Sequence, residues 1–215
     1  MVTKATIRTY SVDSDLVVRR RQQIAVAAAR VLVKKAFDST SVREIANVCG
    51  MSSGTIYHYI GSKEDIIDLV LSHGEAHYKQ FFEEADVYLK TLNPTQALKQ
   101  AIEDFYRKLD RRQDFALFCY QEAKNMSPRQ LETLLDWDRS VVDVFRRLLD
   151  KGCASGEFVI DDVRLVANRI VSDSAMWAVR RWFLRKHCTL EEYIGQEIQF
   201  ILRAISRDKG VYNEG

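Results

Sequence analysis

Residues 41–65 read SVREIANVCGMSSGTIYHYIGSKED, and the fold turns on how this stretch is taken. Ser41 followed three residues later by Glu44 is a capping box: each side chain can satisfy a backbone N–H that the first helical turn leaves unpaired. A short helix therefore starts here and ends near Val48, and Gly50 supplies the left-handed backbone usual after a helix. Ser52 is the N-cap of a second short helix that closes near Ile60, where Gly61 breaks it. Gly54 is out of place on stability grounds, because glycine costs a helix interior about 1 kcal/mol relative to alanine. Ser52, Ser53, Gly54 and Thr55 make a slim helix start, over which a partner can approach backbone amides and hydroxyls closely.

Two short helices around a glycine turn form a helix-turn-helix candidate, in which the second helix lies in the DNA major groove. Tyr57, His58 and Tyr59 are long, flat and polar-tipped, suited to phosphate hydrogen bonds and to contact with sugars or thymine methyls. Lys63 falls at the start of the next helix, where free amides also attract phosphate. Ile56 and Ile60, one turn apart, are core residues. Tyr57 and His58 lie off that stripe, and Tyr59 stays open between core and DNA.

Charge supports a polyanion at this end. Residues 1–63 hold ten Lys/Arg against four Asp/Glu, a net of +6 in a chain whose total is only +2. A solvated positive face is the plain alternative. The four cysteines (Cys49, Cys119, Cys153, Cys188) are far apart and form no CxxC pair, which argues against a zinc site or a disulfide framework and for reduced thiols in the cytoplasm. No apolar run reaches the roughly 18 residues needed to span a membrane, and the N-terminus lacks the apolar stretch of a secretory signal.

With two prolines, nine glycines and apolar residues recurring at helical spacing, the 215-residue chain reads as all-α with about nine helices. Residues 1–15 are expected to be a mobile arm. Helix 1 is expected over Leu16–Ala36, with Arg19, Arg20 and Arg21 near its start, where cations oppose the helix dipole. Helix 4 begins around Ser62–Asp65 and runs to about Leu89. Helices follow over Pro94–Leu109, Asp114–Asn125, Pro128–Lys151 (ended by Gly152 and Gly156), Asp161–Lys186 and Leu190–Arg207, with a frayed tail from Asp208. The domains expected are the arm (1–15), a helix-turn-helix head (16–62) and a helical body (63–215).

The series Thr40-Ser41-Val42, Ile45-Ala46, Gly50-Met51-Ser52, Gly54-Thr55-Ile56-Tyr57-His58-Tyr59-Ile60 and Ser62-Lys63-Glu64 resembles the N-terminal signature of the TetR/AcrR transcriptional regulators. The likeness spans about residues 18–71. Ala36 stands where that family commonly has glycine, Ser53 where a basic residue is frequent, and Ile60 where Phe is usual. The resemblance implies a homodimer that binds double-stranded operator DNA, with a C-terminal helical domain for dimerisation and a small-molecule effector. It implies base recognition by Ser53, Gly54, Thr55 and His58. Phosphate contacts fall to Thr40, Arg43, Ser52, Tyr57, Tyr59 and Lys63, and Ser41 is counted with this DNA-facing set. Arg19–Arg21 would reach the flanking backbone or minor groove.

In the body, Leu190, Ile194, Ile198, Ile201, Leu202 and Ile205 form one apolar stripe, and Leu165, Val166, Ile170, Trp177 and Trp182 lie on the helix before it. Dimerisation through these last two helices is expected, as a four-helix interface that must share some of these residues with the subunit's own core. Aromatics are dense between Phe81 and Trp182, and core or ligand pocket would look alike. Arginines interleaved with tryptophans at 177–182 need acids or an anionic ligand nearby. The pattern Gly152-x-x-x-Gly156-Glu157-Phe158-x-x-Asp161, then Trp177, Arg181-Trp182 and Thr189-Leu190-Glu191-Glu192, resembles the fatty-acid and acyl-CoA-responsive branch of the family. It implies an acyl chain in the bundle and CoA phosphates on arginines. The ligand-binding candidates are Phe105, Phe118, Tyr120, Glu122, Arg139, Trp177, Arg180 and Arg181. His73 and His77, one turn apart, have a spacing that can bind a metal, but no third ligand is evident and no metal or other cofactor is expected. The expectation is a cytoplasmic, ligand-responsive repressor without catalytic activity. The alternatives are a DNA-binding dimer without an inducer and a helical enzyme built on the His73/His77 pair.

Overall fold

The computed structural model describes residues 14–207, which form ten α-helices and two short 3-10 turns. In order these are α1 (Ser14–Leu32), a 3-10 turn (Phe37–Ser39), α2 (Val42–Cys49), α3 (Ser53–Tyr57), α4 (Asp65–Thr91), α5 (Pro94–Asp110), α6 (Gln113–Glu122), a 3-10 turn (Ala123–Asn125), α7 (Pro128–Ser155), α8 (Val163–Val179), α9 (Arg181–Leu184) and α10 (Leu190–Ile205). The arm expected over 1–15 lies outside the described residues except for Ser14 and Asp15, which open α1. The tail from Asp208 also lies outside them.

Several helices end where sequence alone did not place the end. α1 stops at Leu32 instead of Ala36, and the Thr40 hydroxyl then donates to the carbonyl oxygens of Ala36 (3.0 Å) and Lys35 (3.2 Å), closing the link. α3 stops at Tyr57 instead of near Ile60. The chain tightens there through Tyr59 N–H to the Ile56 oxygen (2.8 Å), and the Tyr59 carbonyl accepts from Nε of Arg21 (3.1 Å). α7 runs through Gly152 to Ser155: the ring of Phe158 fills the space beside Gly152, 2.0 Å from where a Cβ would stand. Gly156, at φ +75°, makes the actual turn. The helix expected over Asp161–Lys186 breaks at Arg180, whose guanidinium lies over the rings of Trp182 and Phe183 (5.3 and 5.7 Å to their centroids).

The chain divides into two compact units. The first holds the described residues up to His77 together with Asp114–Trp137. Its core is built from Ile24, Ala28 and Leu32 of α1, Ile45 and Ala46 of α2, Ile56, Ile60 and Ile66. Gln23 ties α1 to the end of α2 by donating Nε2 to the Cys49 oxygen (2.8 Å). α6 packs on α4 at Gly74, where the Phe115 ring occupies the place of a side chain. Arg129 and Gln130 of α7 both donate to Asp68 of α4 (2.6 and 3.2 Å).

The second unit holds Tyr78–Gln113 and the described residues from Asp138. Tyr78, Phe81, Phe105 and Phe145 form a contiguous aromatic cluster with ring centroids 5.2–5.9 Å apart. Ile194, Ile198, Ile201 and Ile205 of α10 are buried within the unit, so most of that stripe serves the subunit's own core. The surface left on α8 and α10 includes Leu165 (65 % exposed) and Phe200 (53 %), the latter under the guanidinium of Arg169 at 4.9 Å.

Candidate nucleic-acid interface

Each local feature of 41–65 has a mechanical role. The Glu44 N–H donates to the Ser41 hydroxyl (3.2 Å), while the Ser41 N–H donates to the Glu44 carboxylate (2.7 Å), completing the capping box. The Lys35 ammonium on the same carboxylate (2.8 Å), aided by the Ser41 amide and hydroxyl, holds Glu44 down at about 2. Gly50, at φ +67°, lets Met51 N–H reach back to the Ala46 oxygen (2.9 Å), which reverses the chain between α2 and α3. Ser52 caps α3: its hydroxyl accepts from Thr55 N–H (3.0 Å) and bonds the Thr55 hydroxyl (2.8 Å).

Gly54 is exposed on this capped tip. Its φ is not in the left-handed region, where among the described glycines Gly50 and Gly156 stand. A Cβ built on it would meet only the Ser52 hydroxyl, at an ordinary 3.7 Å. Nothing among the described residues calls for glycine at this position. Tyr57 (45 % exposed) and His58 also face solvent, as does Arg43 in the first turn of α2. Ser52 and Gly54 are exposed and Ser53 and Thr55 half-buried, so α3 and its cap gather most of the predicted recognition residues.

Other members of the predicted set are spoken for. Thr40 is buried with its hydroxyl turned onto the α1–α2 link. The Tyr59 ring is buried, which answers for the core the question its sequence left open. Lys63 donates to the Phe37 oxygen (2.7 Å) and lies over the Phe37 ring (4.4 Å). The amides of Gly61 and Ser62, ahead of α4, donate to the Asp65 carboxylate (2.7 and 3.1 Å). Of the basic triplet on α1, Arg21 holds the Tyr59 carbonyl, Arg20 donates to Gln23 (2.9 Å), and Arg19 is exposed.

The ligand candidates fall into the two units. In the first, Phe118 is buried, Tyr120 is exposed, and Glu122 is buried against the α1–α2 link. In the second, Phe105 sits in the aromatic cluster. Trp177 is buried, stacked on Tyr193 (5.3 Å), with Nε1 donating to Asp110 (2.6 Å). Arg139, Arg180 and Arg181 are exposed. Glu157 accepts from the amide and hydroxyl of Thr95 (3.3 and 2.9 Å). The Gly152–Phe158 pattern is thus the joint that fits Phe158 against α7 and anchors the start of α5. Among the described residues, no group of three or more His, Cys, Asp or Glu is placed to hold a metal ion, and no helix is long and apolar enough to cross a membrane.

The family model described as "Bacterial regulatory proteins, tetR family" matches residues 24–70. A second, described as "Tetracyclin repressor-like, C-terminal domain", matches residues 91–205, more than half of the chain. The chain belongs to the TetR family. A TetR-family chain is a DNA-binding regulator, and its curated relatives carry regulator names. The HTH-type transcriptional regulator HbdR of Aromatoleum sp. is 24% identical over 98% of this chain and 91% of its own. The ketosteroid transcriptional regulator KstR2 of Mycobacterium tuberculosis shares the fold, with a TM-score of 0.72, 22% identity, and coverage of 93% of this chain and 99% of its own. AibR, solved in complex with isovaleryl coenzyme A and operator DNA, matches with a TM-score of 0.69, 19% identity, and coverage of 84% and 97%. The family expected from residues 18–71 and the all-α class expected from the periodicity of the whole chain stand on these matches and on the helices themselves.

Proposed function

We propose that this TetR-family regulator is a repressor that grips operator DNA as a homodimer and is released by a small hydrophobic effector of the fatty-acid or acyl-CoA class. The head, residues 16–62, reads DNA through the tip of α3, and the body, residues 63–215, carries the effector and dimer functions. The observation that carries the DNA assignment is Gly54: an exposed glycine that neither backbone conformation nor internal packing demands is explained by an external surface pressed against it. Ser53, Gly54, Thr55 and His58 meet base edges, and Arg43, Ser52 and Tyr57 meet phosphates. Thr40, Ser41, Tyr59 and Lys63 act behind them, by fixing the segments that present those groups.

Homodimerisation is assigned to α8 and α10, on the exposed Leu165 and Phe200 that the unit's own core leaves uncovered. It places two recognition helices in successive major grooves. An acyl-CoA-type effector is favoured by the bound ligand of AibR and by the exposed Arg180 and Arg181 beside Trp182, which offer charge to phosphates. Such a regulator works in the cytoplasm, where the chromosome is.

Fluorescence anisotropy with a duplex selected from a random pool tests the first half. Binding should be tight at low salt and weaken steeply as salt rises, because phosphate neutralisation releases counterions. Failure to retain any duplex would end the DNA reading. Thermal shift with isovaleryl-CoA and longer acyl-CoAs tests the second half, since a ligand of the folded state raises its melting temperature by mass action. Unchanged melting with every acyl-CoA, alongside intact DNA binding, leaves a regulator without this class of effector.

A further inference from the structure

Glu122, at the last turn of α6, has a place in the first unit that no small-molecule role explains. It is a carboxylate only 2 % exposed. One oxygen accepts the backbone N–H of Phe37 (3.4 Å), in the link between α1 and α2, 85 residues away in the chain. The other accepts from Asn125 Nδ2 (3.0 Å). Phe37 is held from its other side as well. Its carbonyl accepts from the Lys63 ammonium (2.7 Å) and from Thr40 N–H (3.0 Å), and Thr40 leads directly into the Ser41 cap of α2. One residue of the link is therefore clamped by α6 through its N–H and by the approach to α4 through its C=O.

We infer that Glu122 is a positioning residue for DNA recognition: from α6 it fixes Phe37, and through Phe37 the start of α2 and the orientation of α3. A buried carboxylate that gave up this donor would lose a partner it cannot replace from water. The bond therefore either holds or moves with α6, and any displacement of α6 is felt at the α2 cap without passing along α4. This rests on α3 being the DNA-reading element, and the wild-type control below tests that reading separately.

The experiment compares Glu122→Gln and Glu122→Leu in the full-length protein, using the duplex that the wild type selects. Gln keeps an acceptor for the Phe37 N–H, and Asn125 can turn its amide to accept from the new NH2 group. The expected result is wild-type affinity for Glu122→Gln and a loss of about tenfold or more for Glu122→Leu, the scale of a lost hydrogen bond to a charged group. Lys63→Met should then cost much less in the Glu122→Leu background than in the wild type, because the second break acts on a link already loosened. Equal affinity of all variants, or strict additivity of Lys63→Met with Glu122→Leu, overturns the inference. Should Glu122→Leu fail to fold, hydrogen exchange on the wild type decides. A Phe37 amide protected like those of α2 supports the clamp, and one that exchanges freely refutes it. If the wild type itself binds no duplex, the DNA reading fails first.

Discussion

At the scale of single residues, the proposed interface makes Gly54 the position where folding and recognition can be tested apart. A Cβ fits there and a helix prefers it, so Gly54→Ala should leave the protein as stable or raise its stability by up to about 1 kcal/mol. The same change should weaken duplex binding, because the added methyl stands between α3 and the groove. Chemical denaturation and anisotropy on one preparation check both, and unchanged DNA affinity would remove the main support for the interface. Thr55→Ala should shift preference among duplex sequences, whereas Tyr57→Ala should weaken binding to all of them with the salt slope unchanged, because a neutral phenol releases no counterion. Lys63 no longer belongs with Tyr57. Its ammonium is engaged by the Phe37 carbonyl and ring, so Lys63→Ala should lower the stability of the head as well as its affinity. In the sequence, Lys63 looked like a free cation because the carbonyl that holds it lies 26 residues earlier.

At the scale of helices, caps and joints set what can be changed. Lys35 and Ser41 hold the Glu44 carboxyl at about 2, below its ordinary range near 4.3, so the folded state keeps it ionised where the unfolded chain would protonate it. Its contribution to stability is complete above the unfolded value and is lost as pH falls toward 2. Replacing Glu44 with Gln should therefore flatten the decline in stability between about pH 4.5 and 2; identical slopes in the two proteins would contradict this. Gly152→Ala should cost about 1–3 kcal/mol by overpacking against Phe158, and thermal melting beside a Gly152→Ala/Phe158→Ala double variant, which relieves the clash, checks the cause. These elements also show what the sequence made legible. The caps at Ser41 and Ser52 were readable because each partner lies within three residues. The ends of α1 and α3 were not, since Arg21 reaches Tyr59 from 38 positions away. Gly152 looked like a stop because sequence does not reveal that a ring from the following turn occupies its missing side chain. The residues of the GxxxGEF pattern fold the body and name no ligand.

At the scale of the whole molecule, the apolar stripe of α10 is turned inward, which narrows the dimer hypothesis to what α8 and α10 leave outside. Leu165→Glu with Phe200→Glu should give a monomer in sedimentation velocity, with operator affinity falling because one recognition helix cannot span two half-sites. A dimer that survives both changes would place the interface elsewhere. The head packs within a compact unit that is not a contiguous piece of chain. That unit includes Asp114–Trp137, which brings the Phe115 ring to Gly74, Arg129 and Gln130 to Asp68, and Glu122 to Phe37. A chimera that grafts residues 14–77 onto a foreign regulator would therefore carry an empty slot beside Gly74 and an unclamped link. Transplanting this specificity requires α6 and the first turns of α7 as cargo.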